Sequence, residues 1–377
     1  MTEARPFQLH LPDARLAAIR AAIASFDWSA LPELAEDGDP WSAGASLPFM
    51  RALCEHWLHR FDWRAWEGAI NRVPQSIVRL DGQDIHLLHE RGSGSHDTAL
   101  VLTHGWPGSI VEFLHLIERF AHPERFGGDA AEGIDVVVPS LPGFGCSGRP
   151  ARPIGPRAIA GLWDRLLRDV LGYRSYVAQG GDWGSMVSAM LGLHHSRAAG
   201  GGCAAIHLNY LGTRRAEEPA DPLEADFMRR GAAFLNDGRA YAELHRTRPQ
   251  TFAYATAGNP VGEAAWIADK FHAWCDLRHA GLEEVIGLDR LLANIMLYVA
   301  TGSFTSATWI YRAAATEGVR ALPAGQRIAV PTAFASFPCE IRPLPPRALV
   351  ERSYDVVQFT EFDRGGHFAA LERPEAF

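Results

Sequence analysis

Apolar residues recur near the start of the chain at helical spacing. Leu16, Ile19, Ile23 and Phe26 lie three, four and three positions apart and mark one face of a helix, with Asp13 ahead of it as the expected N-cap. The same period predicts a second helix from about Pro48 through Trp66. The pattern then changes to short apolar runs at 77–80 and 85–89 on either side of Asp81-Gly82, which reads as a hairpin leading into a sheet.

From about residue 93 the runs are mainly apolar rather than alternating, at 99–103, 134–139, 175–178 and 203–207. Helical periods at 110–120, 159–171 and 183–194 fall between them. Strands buried on both faces and joined by helices define βαβ units, so the fold class is α/β with a mainly parallel central sheet. Strand signals vanish from 211 to 321, where helices dominate, and return at 328–336 and 356–359. The expected organisation is an N-terminal arm at 1–92, a first part of the core at 93–210, a helical lid at 211–321 and a second part of the core at 322–377.

Composition narrows the function. The chain has 377 residues, 47% of them hydrophobic and 21% charged, which suits a globular protein large enough to bury a core. Its formal net charge of −8 argues against nucleic-acid binding, which needs concentrated positive charge. Lys270 is the one lysine among 36 basic residues, so no phosphate-binding G-x-x-x-x-G-K-[ST] loop exists. Cys54, Cys146, Cys203, Cys275 and Cys339 are odd in number and include no C-x-x-C, so no disulfide framework or cysteine zinc site is expected, and a cytoplasmic location fits best. No apolar leader opens the chain and no run is long enough to span a membrane, so neither export nor a membrane anchor is expected.

Four segments carry chemistry. Tyr176 to Ser185 (YVAQGGDWGS) runs from strand through a small-residue turn into a helix, the layout of a nucleophile elbow. Glycines at 180, 181 and 184 allow strand and helix to approach closely, and the side chain presented at 182 is a carboxylate. A serine nucleophile is excluded because no G-x-S-x-G occurs. By itself an aspartate in a glycine turn is more often a helix N-cap. The second segment, Thr103 to Ser109 (THGWPGS), follows the first core strand and can aim the Trp106 N–H at an oxyanion, with the Trp183 N–H as its partner. The third places His367 in a glycine-rich loop after the last strand, and the fourth places Glu340 at the end of the strand before it. Nucleophile, acid and histidine then follow the chain order of α/β-hydrolases, with Glu361 and Asp363 as rivals for the acid.

With these motifs in place, the chain resembles the epoxide hydrolases of the α/β-hydrolase superfamily that carry an N-terminal arm, the microsomal type. The HGWP turn, GGDWGS, FPCE and DRGGHFAALERP carry the resemblance, FDWRAWEGAIN and DGQDIHLLHE are similar to the arm, and TRPQT with NPVGEAAWIADKF is similar to the lid. The resemblance implies Asp182 as nucleophile, His367 as water-activating base, Glu340 as its acidic partner, and Tyr241 and Tyr311 as lid tyrosines. It also implies a further closing helix past Phe377, and the membrane anchor of the microsomal enzymes has no counterpart at the start of this sequence.

An epoxide carbon attacked by Asp182 gives an ester, which His367 and water then cleave to a vicinal diol. No cofactor or metal takes part. The expected ligand is a small epoxide, aromatic ones included, and self-association stays open. The alternatives are a haloalkane dehalogenase, which shares the aspartate elbow but typically has Asn where Trp106 stands, and a catalytically silent binding protein, whose mark would be altered triad residues. The pairs His56/His59 and His86/His89 lack an H-E-x-x-H and are expected to be surface histidines. The glycines from 143 to 148 form a proline-flanked loop rather than a dinucleotide site.

Overall fold

The computed structural model describes residues 4–95, 97–216, 218–323, 325–342 and 345–377. Its strands are β1 (Arg5–Phe7), β2 (Gln75–Leu80), β3 (Gln83–Glu90), β4 (Thr98–Thr103), β5 (Asp135–Pro139), β6 (Ser175–Gly180), β7 (Cys203–Leu208), β8 (Arg214–Arg215), β9 (Ala321–Leu322), β10 (Ile328–Ser336) and β11 (Tyr354–Glu361). All but β8 and β9 form one sheet in the order β1-β2-β3-β5-β4-β6-β7-β10-β11. Pairing is antiparallel from β1 to β5 and parallel from β5 onward, through β4, β6 and β7 to β11. The expected strands therefore form, and the hairpin about Asp81-Gly82 continues the same sheet through β3, which pairs Leu87 to Glu90 with Pro139 to Val136.

The parallel strands are covered because their side chains are apolar on both faces: Ala99, Val101, Leu102, Val136, Val137, Val138, Ala178 and Ile206 are all buried. Helices α1 (Asp13–Ala24), α2 (Leu47–His59) and α3 (Trp63–Asn71) precede the sheet's main part. Next come α4 (Leu114–Ala121), α5 (Pro156–Arg165) and α6 (Asp182–His194). A helical segment follows, with α7 (Pro222–Asp237), α8 (Ala240–Thr247), α9 (Pro249–Thr256), α10 (Pro260–Trp274), α11 (Leu282–Val285), α12 (Leu288–Thr301), α13 (Phe304–Ala307) and α14 (Trp309–Glu317). Strands β8 and β9 pair with each other where this segment leaves and rejoins the sheet.

Several local expectations are corrected. The N-cap of α1 is Pro12. Asp13 sits in the first turn and makes no capping bond, because its carboxylate is drawn to Arg64, whose guanidinium also reaches the Leu11 carbonyl. The helix expected from Pro48 through Trp66 is two helices, broken at Phe61, and Asp62 caps the second by accepting from the Ala65 N–H. The 110–120 segment begins with a 3₁₀ turn at Ile110–Glu112 before α4, and α5 passes into a π turn at Leu166–Val170. The histidine pairs are not all at the surface. His86 is fully buried between Ser140 and Gln75, at 2.9 Å from each, and His89 lies 2.7 Å from the Tyr173 hydroxyl; His59 alone of the four is well exposed. Among the described residues no group of three or more His, Cys, Asp or Glu could hold a metal ion.

Candidate active site

Asp182 stands at the junction of β6 and α6 with a positive φ of 43°. A non-glycine residue adopts this left-handed backbone at a cost of about 1–3 kcal/mol and keeps it only where its surroundings demand it. Here the demand is steric. A Cβ on Gly184 would come within 1.9 Å of the Thr103 carbonyl oxygen, and one on Gly105 within 2.2 Å of Asp182 Oδ1. Both glycines let the ends of β4 and β6 close on the carboxylate.

The carboxylate is held on both oxygens. The Trp106 N–H donates to Oδ1 at 2.8 Å, and His367 Nε2 is 3.4 Å from Oδ2. The turn that offers this N–H is fixed from behind by α12. The Asn294 side-chain amide donates to the Pro107 carbonyl at 2.8 Å and accepts from the Ser109 hydroxyl at 2.7 Å, and the Tyr298 hydroxyl donates to the Gly108 carbonyl at 2.5 Å. The Trp183 N–H makes no hydrogen bond to Asp182 in this geometry. It belongs to the first turn of α6, whose N–H groups have no partner within the helix.

His367 is buried between two carboxylates. Its Nδ1–H donates to Glu340 Oε1 at 2.5 Å, and its main-chain N–H donates to the Trp274 carbonyl at 2.9 Å. Glu361 and Asp363, the rivals for the acid, are exposed. Burial alone would push the imidazole's pKa down, but Glu340 and Asp182 together hold it well above the ordinary histidine value. His104 shows the contrast: buried, it falls to about 4, and its neutral Nε2 accepts the Leu141 N–H. The glycine loop before His367 is seated by Asp276, which accepts the Gly365 N–H and pairs with Arg278.

Tyr241 on α8 and Tyr311 on α14 lie side by side with ring centroids 5.8 Å apart, over Trp106 at 5.3 and 5.9 Å. Trp183 meets Tyr311 edge-on at 4.6 Å. The Tyr311 hydroxyl is buried and makes no hydrogen bond of ordinary geometry. Burial first, and the charge of Asp182 after it, raise the pKa of both phenols, so both stay protonated at neutral pH. Asp182, Trp183, Tyr241 and Tyr311 line one cavity of about 320 Å³. A second, smaller space of about 10 Å³ adjoins Asp182 and His367 and is lined by Glu112, Gln179 and Asn209.

Glu112, Asn294 and Tyr298 were not legible as site residues. Glu112 is part-buried and lines the small cavity, and burial pushes its pKa up to about 8, with Asp182 adding to the rise. Its one signal in the sequence is a carboxylate eight positions after His104, inside an otherwise apolar stretch.

A strand, an elbow, a turn that offers its N–H to the elbow's carboxylate and a late histidine, arranged in this way, define an α/β-hydrolase. The alpha/beta hydrolase fold family matches residues 98–257, and the epoxide hydrolase N terminus family matches residues 4–113. A protein of Stigmatella aurantiaca, provisionally named an epoxide hydrolase, is 38% identical over 99% of this chain and 82% of its own length. Epoxide hydrolase 1 of Sus scrofa is 30% identical over 98% of this chain and 86% of its own. Among solved structures, Aspergillus niger epoxide hydrolase superposes with a TM-score of 0.82 at 31% identity, covering 99% of this chain and 93% of that one. The chain belongs to the epoxide hydrolase family.

Proposed function

We propose that Asp182 opens an epoxide as nucleophile and that His367 and water then release a vicinal diol. The observation that carries this reading is the asymmetric hold on the carboxylate. Oδ1 accepts the Trp106 N–H at 2.8 Å, whereas Oδ2 has only the looser contact with His367 Nε2 at 3.4 Å, so Oδ2 is the oxygen that attacks. Attack forms a bond from Oδ2 to a ring carbon and breaks that carbon's bond to the epoxide oxygen. Tyr241 and Tyr311 donate to the oxygen as it becomes an alkoxide. The buried Tyr311 hydroxyl supports this role, since it makes no close hydrogen bond of ordinary geometry and its weak approach to Tyr241 can be exchanged for the substrate's oxygen.

In the second step water adds to the ester carbonyl of Asp182 and gives one proton to His367, and the adduct collapses by breaking the Cγ–Oδ2 bond as the departing diol oxygen takes up the second proton of that water. The tetrahedral oxyanion develops on Oδ1, beside the Trp106 N–H and within the reach of the first turn of α6, where the Trp183 N–H is the second donor. Esterification also tunes the base. It removes one of the two negative charges that hold His367 protonated, so the imidazolium gives up its Nε2 proton toward the alkoxide made in the first step, and the neutral imidazole can then take one from water. Glu340 keeps Nδ1 as the protonated nitrogen and stabilises the charge as it forms. The small cavity beside Glu112, Gln179 and Asn209 is roomy and polar enough for one water, by the measure of roughly 10–15 Å³ for a single site.

We also assign residues 1–92 to an arm, 93–210 and 322–377 to the core and 211–321 to a lid. The five cysteines are free, which supports a cytoplasmic location, and among the described residues no helix is long and apolar enough to cross a membrane. The decisive test is His367→Gln with styrene oxide. Mass spectrometry after one turnover should find the substrate's mass on the peptide carrying Asp182, and label on another carboxylate overturns the assignment. Diol from styrene oxide without halide from a bromoalkane separates this activity from dehalogenation.

A further inference from the structure

The chain is acidic overall, with 44 Asp and Glu against 36 Lys and Arg, yet the cavity that holds Asp182 has the opposite sign. Its wall includes Arg239, Arg246, Arg320 and Arg342, against two carboxylates, Asp182 itself and Glu243. Glu243 is already shared. Arg246 grips it at 2.6 Å and Arg239 reaches it at 3.2 Å, and Arg320 adds to the charge that keeps its pKa below the usual carboxylate range. One carboxylate among three guanidinium groups leaves a net positive wall.

Arg320 and Arg342 differ from the other two. Among the described residues neither has a carboxylate within ion-pair distance. Instead each lies over an aromatic face at the site. Arg320 stands 5.5 Å from the centre of the Trp183 ring, the residue next to the nucleophile, and Arg342 stands 6.0 Å from that of Tyr210, whose ring meets His367 edge-on at 5.8 Å. A guanidinium held over a ring face by cation–π attraction keeps its N–H donors free to bind a second group. A guanidinium edge recognises carboxylate and phosphate oxygens in pairs, and a cavity lined by one sign of charge concentrates ligands of the other sign.

We propose that this site selects epoxides bearing an anionic group, a carboxylate or a phosphate, with Arg320 and Arg342 as the residues that bind it. The inference rests on the epoxide-opening reading above and adds the substrate class. Both arginines lie one aromatic ring away from catalytic groups, so the anion belongs within a short, rigid span of the oxirane. An uncharged epoxide of the same shape fills the cavity but leaves these cations unmatched.

The test compares 4-(oxiran-2-yl)benzoate with 4-(oxiran-2-yl)benzamide, which share a shape and differ in charge. At low ionic strength kcat/KM for the benzoate should exceed that for the benzamide on the order of tenfold, through KM, and the gap should shrink in salt. Arg320→Gln and Arg342→Gln should each draw the ratio toward one, while Arg320→Lys keeps part of it. Equal rates for the two probes, or variants that slow both equally, overturn the proposal. Glycidyl phosphate in a third arm tells whether carboxylate or phosphate is preferred, and a preference for either supports it. If no probe yields diol, the epoxide-opening reading falls and this one falls with it, an outcome distinct from diol formed without charge preference.

Discussion

Asp182, at the end of a sheet strand, and Tyr311, on a helix, line the same cavity, and different forces hold them. On the sheet side each reacting group is fixed by directional bonds: the Trp106 N–H on Asp182, Glu340 on His367, Asp276 under the glycine loop. On the helical side Tyr241 and Tyr311 are fixed by ring packing against Trp106, Trp183 and each other, and the Tyr311 hydroxyl makes no hydrogen bond of ordinary geometry. Directional bonds suit groups whose charge must be held in one place through two steps. Packing suits a donor whose hydrogen bond has to remain available until the substrate's oxygen acquires charge.

The largest expected effect comes from removing Asp182, the proposed nucleophile. Asp182→Ala should show neither turnover nor adduct, and any diol it formed would break the sheet side of the comparison. Next come the tyrosines. Tyr241→Phe and Tyr311→Phe should each slow ester formation on the order of 10- to 1000-fold, since one donor still serves the oxygen. The double variant should nearly abolish ring opening while leaving hydrolysis of preformed ester little changed. Single-turnover kinetics separates the two steps, and a double variant that opens epoxides at the parent rate would move proton donation to another group.

A smaller effect is expected from Glu340→Gln. Glu340 raises the His367 pKa, so its loss should move the acid limb of ester hydrolysis to lower pH. The plateau rate should fall on the order of 100-fold, the low end of a whole general-base contribution, because the imidazole itself remains. Ring opening should change less. A pH profile of the second step alone checks the direction, and an acid limb moving to higher pH would assign His367's elevated pKa to another neighbour.

The same division explains what could be read from sequence. Core strands were legible because a buried parallel strand is apolar on both faces, as at 99–102 and 136–138, and the elbow because only small residues fit the contact between Gly180 and Gly184. The break at Phe61 was not, since the apolar period continues across it and Asp62 shows its capping role only once the chain has turned. Asn294 and Tyr298 lie about 190 residues from the turn they hold, and no local pattern encodes a contact made by tertiary packing. His86 looked like a surface residue because its spacing from His89 says nothing of which strand face it occupies.

The smallest effect tests a group on the sheet side that no directional chemistry announces. Glu112 has an ordinary carboxyl pKa near 4.5 and one of about 8 in the folded protein, where burial favours the neutral form. Between those values the folded state keeps a proton that the unfolded chain releases. Stability from this group is therefore full below pH 4.5 and is lost progressively as pH rises through about 8. His367, also raised, acts in the same direction at higher pH, so the useful quantity is the difference between parent and Glu112→Gln. Glutamine cannot ionise, and its stability profile should be flatter over this window, gaining on the parent by at most a few kcal/mol, since each pKa unit is worth about 1.4 kcal/mol and the residual exposure reduces it. Denaturant titrations at pH 5 and pH 8 give the comparison, with diol formation at pH 6 expected to change severalfold at most. Parallel profiles would mean that Glu112 is ionised in the folded state, and would give the small cavity beside Asp182 and His367 a second negative charge.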